Sequence, residues 1–351
     1  RMSRGLGDVY KRQHKMCRGG RMMNKKYIAI IAGVVVLLIG IFCFFKFKPS
    51  SLDKVLKEAN AYKSYELVCN MEMLENDELK SYQVTSTFAH IGEKDYYKVE
   101  LYDKSLNQAQ VIVRNDDGVF VLTPSLNQAF QFKSEWPNNS PKPYIYQSLL
   151  SFLKDNKPEK VKDGYLVNGN MAYENDDRVK TQEVKFDKNL KPIYVNVYDK
   201  DGTEVIKLTA SSFKVNQDLK KDQFAQETIM KQTQNQYTSA SSALPLYPVA
   251  LMGSTLENEK VSQIDNTTNH ILKFTGEKSF TIIESALSKQ DAMSVQTISG
   301  DMIDLVDGIA FQDDNQMTYV SSGIVCSLYS NDLTKEEMLS VLSSMQATNV
   351  K

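Results

Sequence analysis

Ten segments between Tyr65 and Val215 alternate apolar and polar residues with a period of two, among them DYYKVELYD, QAQVIVRN, GVFVLT, QAFQFK and PIYVNVYD. Only an extended strand returns a side chain to the same face at every second residue, so a run of this length predicts a large antiparallel sheet. The breaks carry turn chemistry. Asn115-Asp116-Asp117-Gly118 and Asp199-Lys200-Asp201-Gly202 each set Gly after Asp, supplying the positive φ of a tight hairpin. The second also begins like a calcium loop, but it lacks the third acidic ligand and the distal Glu, so it reads as a turn and not a metal site.

Helices are expected at the margins of this sheet. SSLDKVLKEANAY places Leu52, Val55, Leu56, Ala59 and Tyr62 at helical spacing, and PYIYQSLLSFLKDN, Pro143 to Asn156, aligns Tyr146, Leu149, Leu150 and Leu153 on one stripe. A meander bounded by helices is an α+β arrangement, here a half-open antiparallel barrel with helices closing its mouth. That domain is expected over 50–222. From 223 to 243 Gln, Thr, Ser and Asn predominate with little apolar periodicity, which reads as a linker. A small C-terminal α+β domain follows over 244–351, with further strands and a closing helix marked by the capping-box pair Thr334 and Glu337.

The N-terminus reads differently. Residues 1–22 include Asp8-Val9-Tyr10-Lys11-Arg12-Gln13, similar to the translation of a sequencing-library tag, and are expected to be a non-native leader. They hold seven Lys/Arg against one Asp, so without them the formal charge moves from −1 to about −7. That balance speaks against a nucleic-acid partner. Residues 23–48 contain YIAIIAGVVVLLIGIFCFF, an uncharged stretch long enough for the hydrocarbon core of a bilayer, and are expected to form a transmembrane anchor. The bulk of the chain would then lie outside the cytoplasm, on a single-pass membrane protein. Of the four cysteines, Cys69 and Cys326 fall in the two halves of this ectodomain; they pair across it or stay two separate buried thiols.

The stretch Gly118 to Phe132, followed by Glu135-Trp136-Pro137 and by PYIYQSLL, resembles the LolA-like lipoprotein-carrier superfamily, within it the sporulation and germination branch of spore-forming Firmicutes. The region from Pro245 to Met345 is similar to a C-terminal Firmicutes domain of unknown function, on Tyr247-Pro248, Thr275-Gly276, Ser299-Gly300 and Ser330-Asn331-Asp332-Leu333-Thr334. The resemblance implies a curved sheet around a space for acyl chains, a hydrophobic ligand such as an acyl chain or a lipoprotein, or a cell-wall amidase as partner. The hydrophobic wall would be Phe88, Tyr97, Leu101, Val113, Phe120, Leu122, Phe130, Phe132 and Trp136, with Tyr146, Leu149 and Leu150 from the helix above. From residue types alone the same wall is equally a solid packed core.

Catalytic chemistry is sparse. The chain has no P-loop, dinucleotide fingerprint, HExxH or paired CxxC motif, which points to no cofactor and no metal. His90 and His270 are the histidines beyond the leader, both within strand-like runs. Ser125 sits in Thr123-Pro124-Ser125-Leu126-Asn127, whose residue types are those of a turn. A binding protein and not an enzyme is expected, with an adaptor of filled core as the alternative. An envelope hydrolase would need His90 or His270 beside a nucleophile and a carboxylate.

Overall fold

The computed structural model describes residues 51–75, 78–137, 142–171, 178–233, 236–237, 244–264, 267–298, 300–321 and 323–347. The expected leader and transmembrane anchor lie outside these residues, and no helix among the described ones is long and apolar enough to cross a membrane. The described strands all fall within one compact unit, 55–351.

The architecture is α+β and dominated by strands. Helix α1 (Ser51–Asn60) leads into β1 (Ser64–Glu75), β2 (Glu78–Ile91), β3 (Lys94–Asp103), β4 (Gln108–Asn115), β5 (Gly118–Thr123) and β6 (Gln128–Phe132). Helix α2 (Tyr146–Asp155) precedes β7 (Glu159–Val161), β8 (Gly164–Asn170), β9 (Thr181–Asp187), β10 (Pro192–Tyr198) and β11 (Glu204–Val215). These strands form one sheet in the order β6-β5-β4-β3-β2-β1-β11-β10-β9-β8-β7, antiparallel throughout. The hairpin chemistry holds: Asn115 Oδ1 accepts Asp117 N–H at 2.9 Å before Gly118 at φ 131°, and Asp199 Oδ1 accepts the N–H groups of Asp201 and Thr203 before and after Gly202.

The segment expected as a linker is built otherwise. A 3-10 turn over Lys221–Phe224 runs into α3 (Gln226–Thr233), and Phe224, Ile229 and Met230 are buried against Ala89, Tyr96, Val111, Val113, Phe120 and Leu122. The spacing from 224 to 229 is not helical because Phe224 comes from the turn, so the apolar set lacks a legible period. The sheet supplies the reason for the order: its face is apolar here and needs a cover.

The C-terminal region runs through β12 (Leu246–Pro248), β13 (Ser254–Ile264), β14 (Thr267–Gly276), β15 (Phe280–Ala286), β16 (Ser294–Ile298), β17 (Asp301–Leu305), β18 (Gly308–Asp313), β19 (Gln316–Ser321), β20 (Ile324–Tyr329), α4 (Lys335–Ser343) and β21 (Met345–Ala347). Seven of these strands form a second sheet, β13-β14-β15-β20-β19-β18-β17, whose buried face meets Met338, Leu339, Val341 and Leu342 of α4. The capping box at Thr334 and Glu337 forms as its spacing predicts. Strand β16 departs from the expected division at 244: it pairs in parallel with β6, at the edge of the first sheet, giving that sheet twelve strands.

Candidate functional site

Cross-strand register sorts the eight predicted wall residues that lie on strands onto two faces, since residues directly opposite each other share a face. Phe88 lies opposite Tyr97, Leu101 opposite Val84, and Phe130 and Phe132 opposite Val121 and Val119. These five share the face of Tyr65, which is opposite Phe88. Val113 lies opposite Phe120 and Leu122 opposite Val111, on the other face, where α3 covers them. The predicted single wall is therefore two, with the sheet between them.

The first face is itself filled in part. The Phe132 ring lies 5.7 Å from Phe311 of β18, Gln110 Nε2 donates to Val320 O at 3.0 Å, and Tyr144 Oη donates to Val306 O at 2.8 Å, so the second sheet covers this end. Trp136 is buried and meets Tyr97 edge-on at 6.3 Å, capping the core. Leu149 is buried within α2.

At the other end of the same face, a cavity of ≈ 330 Å³ remains between the turn after α1, α2 and β1–β3. Four of the predicted residues line it: Phe88, Tyr97, Tyr146 and Leu150. The structure adds Tyr62 and Tyr65. Tyr146 stacks on Tyr62 at 6.2 Å and meets Tyr65 edge-on at 5.6 Å, and Phe88 lies 4.9 Å from Tyr97. Aromatic side chains in such offset and edge contacts hold a rigid wall at little entropic cost. Tyr65 was within reach of sequence reasoning, because the alternation in YELVCNMEML puts it in phase with Leu67. Tyr62 ends a helical pattern, and nothing in that pattern shows that the chain turns its ring back over α2.

Polar groups ring the opening. Tyr65 Oη donates to Gln147 Oε1 at 2.8 Å and accepts Tyr146 N–H at 3.2 Å. Burial pushes the phenols of Tyr65, Tyr97 and Tyr146 far above their ordinary range, so these three rings stay neutral. His90 Nδ1 lies 2.6 Å from Asp95 Oδ1 at this mouth. The cavity thus offers an aromatic grip with hydrogen-bonding groups at its rim, a common form for a small-ligand site at the low end of pocket size.

The remaining candidates lie elsewhere. Ser125 is buried in a 3-10 turn over Pro124–Leu126. His270 stands on β14 opposite Glu284, and Cys326 on β20 opposite the same residue. Burial, reinforced by Glu284, pushes the Cys326 thiol up, which is the reverse of an activated nucleophile. Among the described residues no group of three or more His, Cys, Asp or Glu is placed to hold a metal ion. A larger cavity, ≈ 390 Å³, lies between Met73, Ile206 and the end of α4 at Ser343 and Ser344 and contains none of the predicted wall.

No family model matches the chain. It is 31% identical over 344 residues to the sporulation protein YdcC of Bacillus subtilis (strain 168), covering 94% of this chain and 100% of that protein. Among solved structures it is similar to MucB in complex with MucA(peri), at 11% identity and a TM-score of 0.30, covering 84% of this chain and 96% of the other. A putative outer membrane lipoprotein-sorting protein domain from Vibrio parahaemolyticus gives 12% and 0.29, over 51% of this chain and 97% of the other. The CwlD amidase of Clostridioides difficile in complex with the GerS lipoprotein gives 14% and 0.24, over 48% and 92%.

Proposed function

Because the chain belongs to the family of the sporulation protein YdcC, we propose that it serves in sporulation as a non-enzymatic binding protein of the cell envelope. In this reading residues 23–48 anchor it in the membrane, the rest lies outside the cytoplasm, and the first sheet with its helices is a LolA-like half-barrel. The observation that carries the binding role is the half-open cavity of ≈ 330 Å³ between the turn after α1, α2 and β1–β3, lined by Tyr62, Tyr65, Phe88, Tyr97 and Tyr146 together with the polar Lys63, His90 and Asp95. An apolar group, such as part of an acyl chain or of a lipoprotein, fills such a wall with favourable burial of apolar surface.

Mass spectrometry of the purified ectodomain from Ser50 onward tests this. A hydrophobic molecule should co-purify, and Tyr62→Asp should release it. Its absence from the unaltered protein counts against the reading.

The second reading is an adaptor without a ligand, acting through a protein partner such as a cell-wall amidase. It is favoured by the filling of both sheet faces, by α3 on one side and by the contact of Phe132 with Phe311 on the other. Co-purification of such a partner with no bound small molecule, unaffected by Tyr62→Asp, selects it.

A further inference from the structure

The half-open aromatic cavity carries hydrogen-bonding capacity that the protein does not spend. Tyr97 is 5% exposed and lines the cavity, its ring held by Phe88 at 4.9 Å and by Trp136 at 6.3 Å. Its hydroxyl has no hydrogen-bond partner among the described residues. A phenol buried to this degree ordinarily finds one. Burial, reinforced by Asp95 and opposed by Arg114, pushes this phenol far above its ordinary range, so the proton stays on and the group is a standing donor.

Gln147 supplies the second donor. Tyr65 Oη accepts Tyr146 N–H at 3.2 Å, which leaves its one proton for Gln147 Oε1 at 2.8 Å. That bond turns the amide oxygen toward Tyr65, and the two N–H groups of Nε2 have no partner among the described residues. Gln147 also lines the cavity, half-buried in the first turn of α2. The polar groups further out meet water: Asn60, Lys63 and Asp95 are exposed, and Asp95 is bound to His90 Nδ1 at 2.6 Å. The inner wall therefore presents open donors from β3 and α2, while the oxygens of Gln147 and Tyr65 are taken up inside the protein.

On the binding role proposed above, we infer that Tyr97 Oη and Gln147 Nε2 read a carbonyl oxygen of the ligand, so that the cavity takes an apolar chain carrying an ester or amide carbonyl and disfavours one whose polar end only donates. A carbonyl oxygen has two lone pairs and accepts from both groups at once. An ammonium end leaves both donors unpaired beside it, and a polar group stripped of water without a partner costs more than a bond returns.

Equilibrium dialysis of the full chain tests this with radiolabelled methyl octanoate, N-methyloctanamide and octylammonium. One fixed maltoside concentration makes partitioning into micelles common to every sample. Tyr97→Phe and Gln147→Met keep the ring and the chain length and remove the donors. Each should weaken the carbonyl probes about fivefold, the factor of one ordinary hydrogen bond, and leave octylammonium binding unchanged. The carbonyl probe that loses more identifies ester or amide as the native class. Tyr65→Phe unpins the Gln147 amide and should lower carbonyl binding alone, whereas a merely structural loss weakens all three probes. Carbonyl binding indifferent to Tyr97→Phe and Gln147→Met, or an equal loss of all three probes, overturns the assignment and leaves a plain apolar pocket. If the unaltered chain binds no probe above protein-free micelles, the binding role itself falls, and this assignment with it.

Discussion

The backbone N–H of Leu246 donates to Glu284 Oε2 at 2.9 Å, and the side chain that receives it is fully buried in the C-terminal domain. This bond fixes the point where the chain enters that domain to a carboxyl group inside an apolar core.

Burial pushes Glu284 up to about 7 from an ordinary 4.5; the nearby Glu259 adds to the rise and the Leu246 N–H opposes it. A carboxyl whose folded pKa lies above its unfolded one favours folding while both states are protonated. The contribution is complete below about pH 4.5 and is lost as pH rises through about 7. A shift of that size corresponds to about 3 kcal/mol. Urea unfolding should show that the stability difference between the unaltered protein and Glu284→Gln changes by this order between pH 4.5 and 7.5. A difference that stays constant across that window contradicts the assignment.

Tyr146 joins the aromatic cavity to the core, with its ring 4.7 Å from Phe213 and its Oη donating to Leu190 O at 2.9 Å. Tyr146→Ala should cost about 3–5 kcal/mol by opening a cavity, whereas Tyr146→Phe should cost about 1 kcal/mol, the worth of one hydrogen bond. Chemical denaturation of both variants gives the two numbers, and similar losses would mean that the ring does not organise this packing.

Asp116 gathers the approach to α3: it accepts from Lys94 Nζ and Tyr96 Oη at 2.7 Å and from Lys221 Nζ at 3.0 Å. The hydrogen bonds from these partners, Lys94 foremost, hold its carboxyl well below the usual carboxylate range. The folded pKa is depressed, so the contribution is present above the unfolded pKa and lost only as pH falls through the lower folded value. Asp116→Asn should speed limited trypsin cleavage at Lys220 and Lys221. Cleavage at the rate of the unaltered protein would show that these contacts do not restrain the segment.

Cys69 and Cys326 are free and buried, so the disulfide between them does not form here. Desolvation pushes the Cys69 thiol up to about 12 and raises that of Cys326 as well. Peptide mapping after maleimide treatment at pH 8 should find both unlabelled in the folded protein and labelled in guanidinium. Fast labelling of either in the folded state would place it at the surface.

Much of this architecture was legible residue by residue. The alternating runs found ten strands of the first sheet and missed the short β7, the stripe Tyr146-Leu149-Leu150-Leu153 found α2, and Thr334 with Glu337 found the start of α4. Each is a local signal, since a period of two or 3.6 is a property of one element and its solvent. The candidate site was legible only in part for the same reason. Phe88, Tyr97, Tyr146 and Leu150 were among the predicted wall and do line one cavity, whereas Val113, Phe120 and Leu122 belong to the opposite face.

The sequence by itself determined that the chain forms a large antiparallel sheet with helices, a second α+β region and an apolar aromatic surface. Period, turn chemistry and capping are written in neighbouring residues, and they suffice for that much. Tertiary structure alone decided how that surface is used. It laid α3 over Phe120, set Phe311 against Phe132, and brought β16 back to the edge of β6. Those choices join residues about a hundred or more positions apart, and apolar residues show that they need cover without showing which distant segment supplies it.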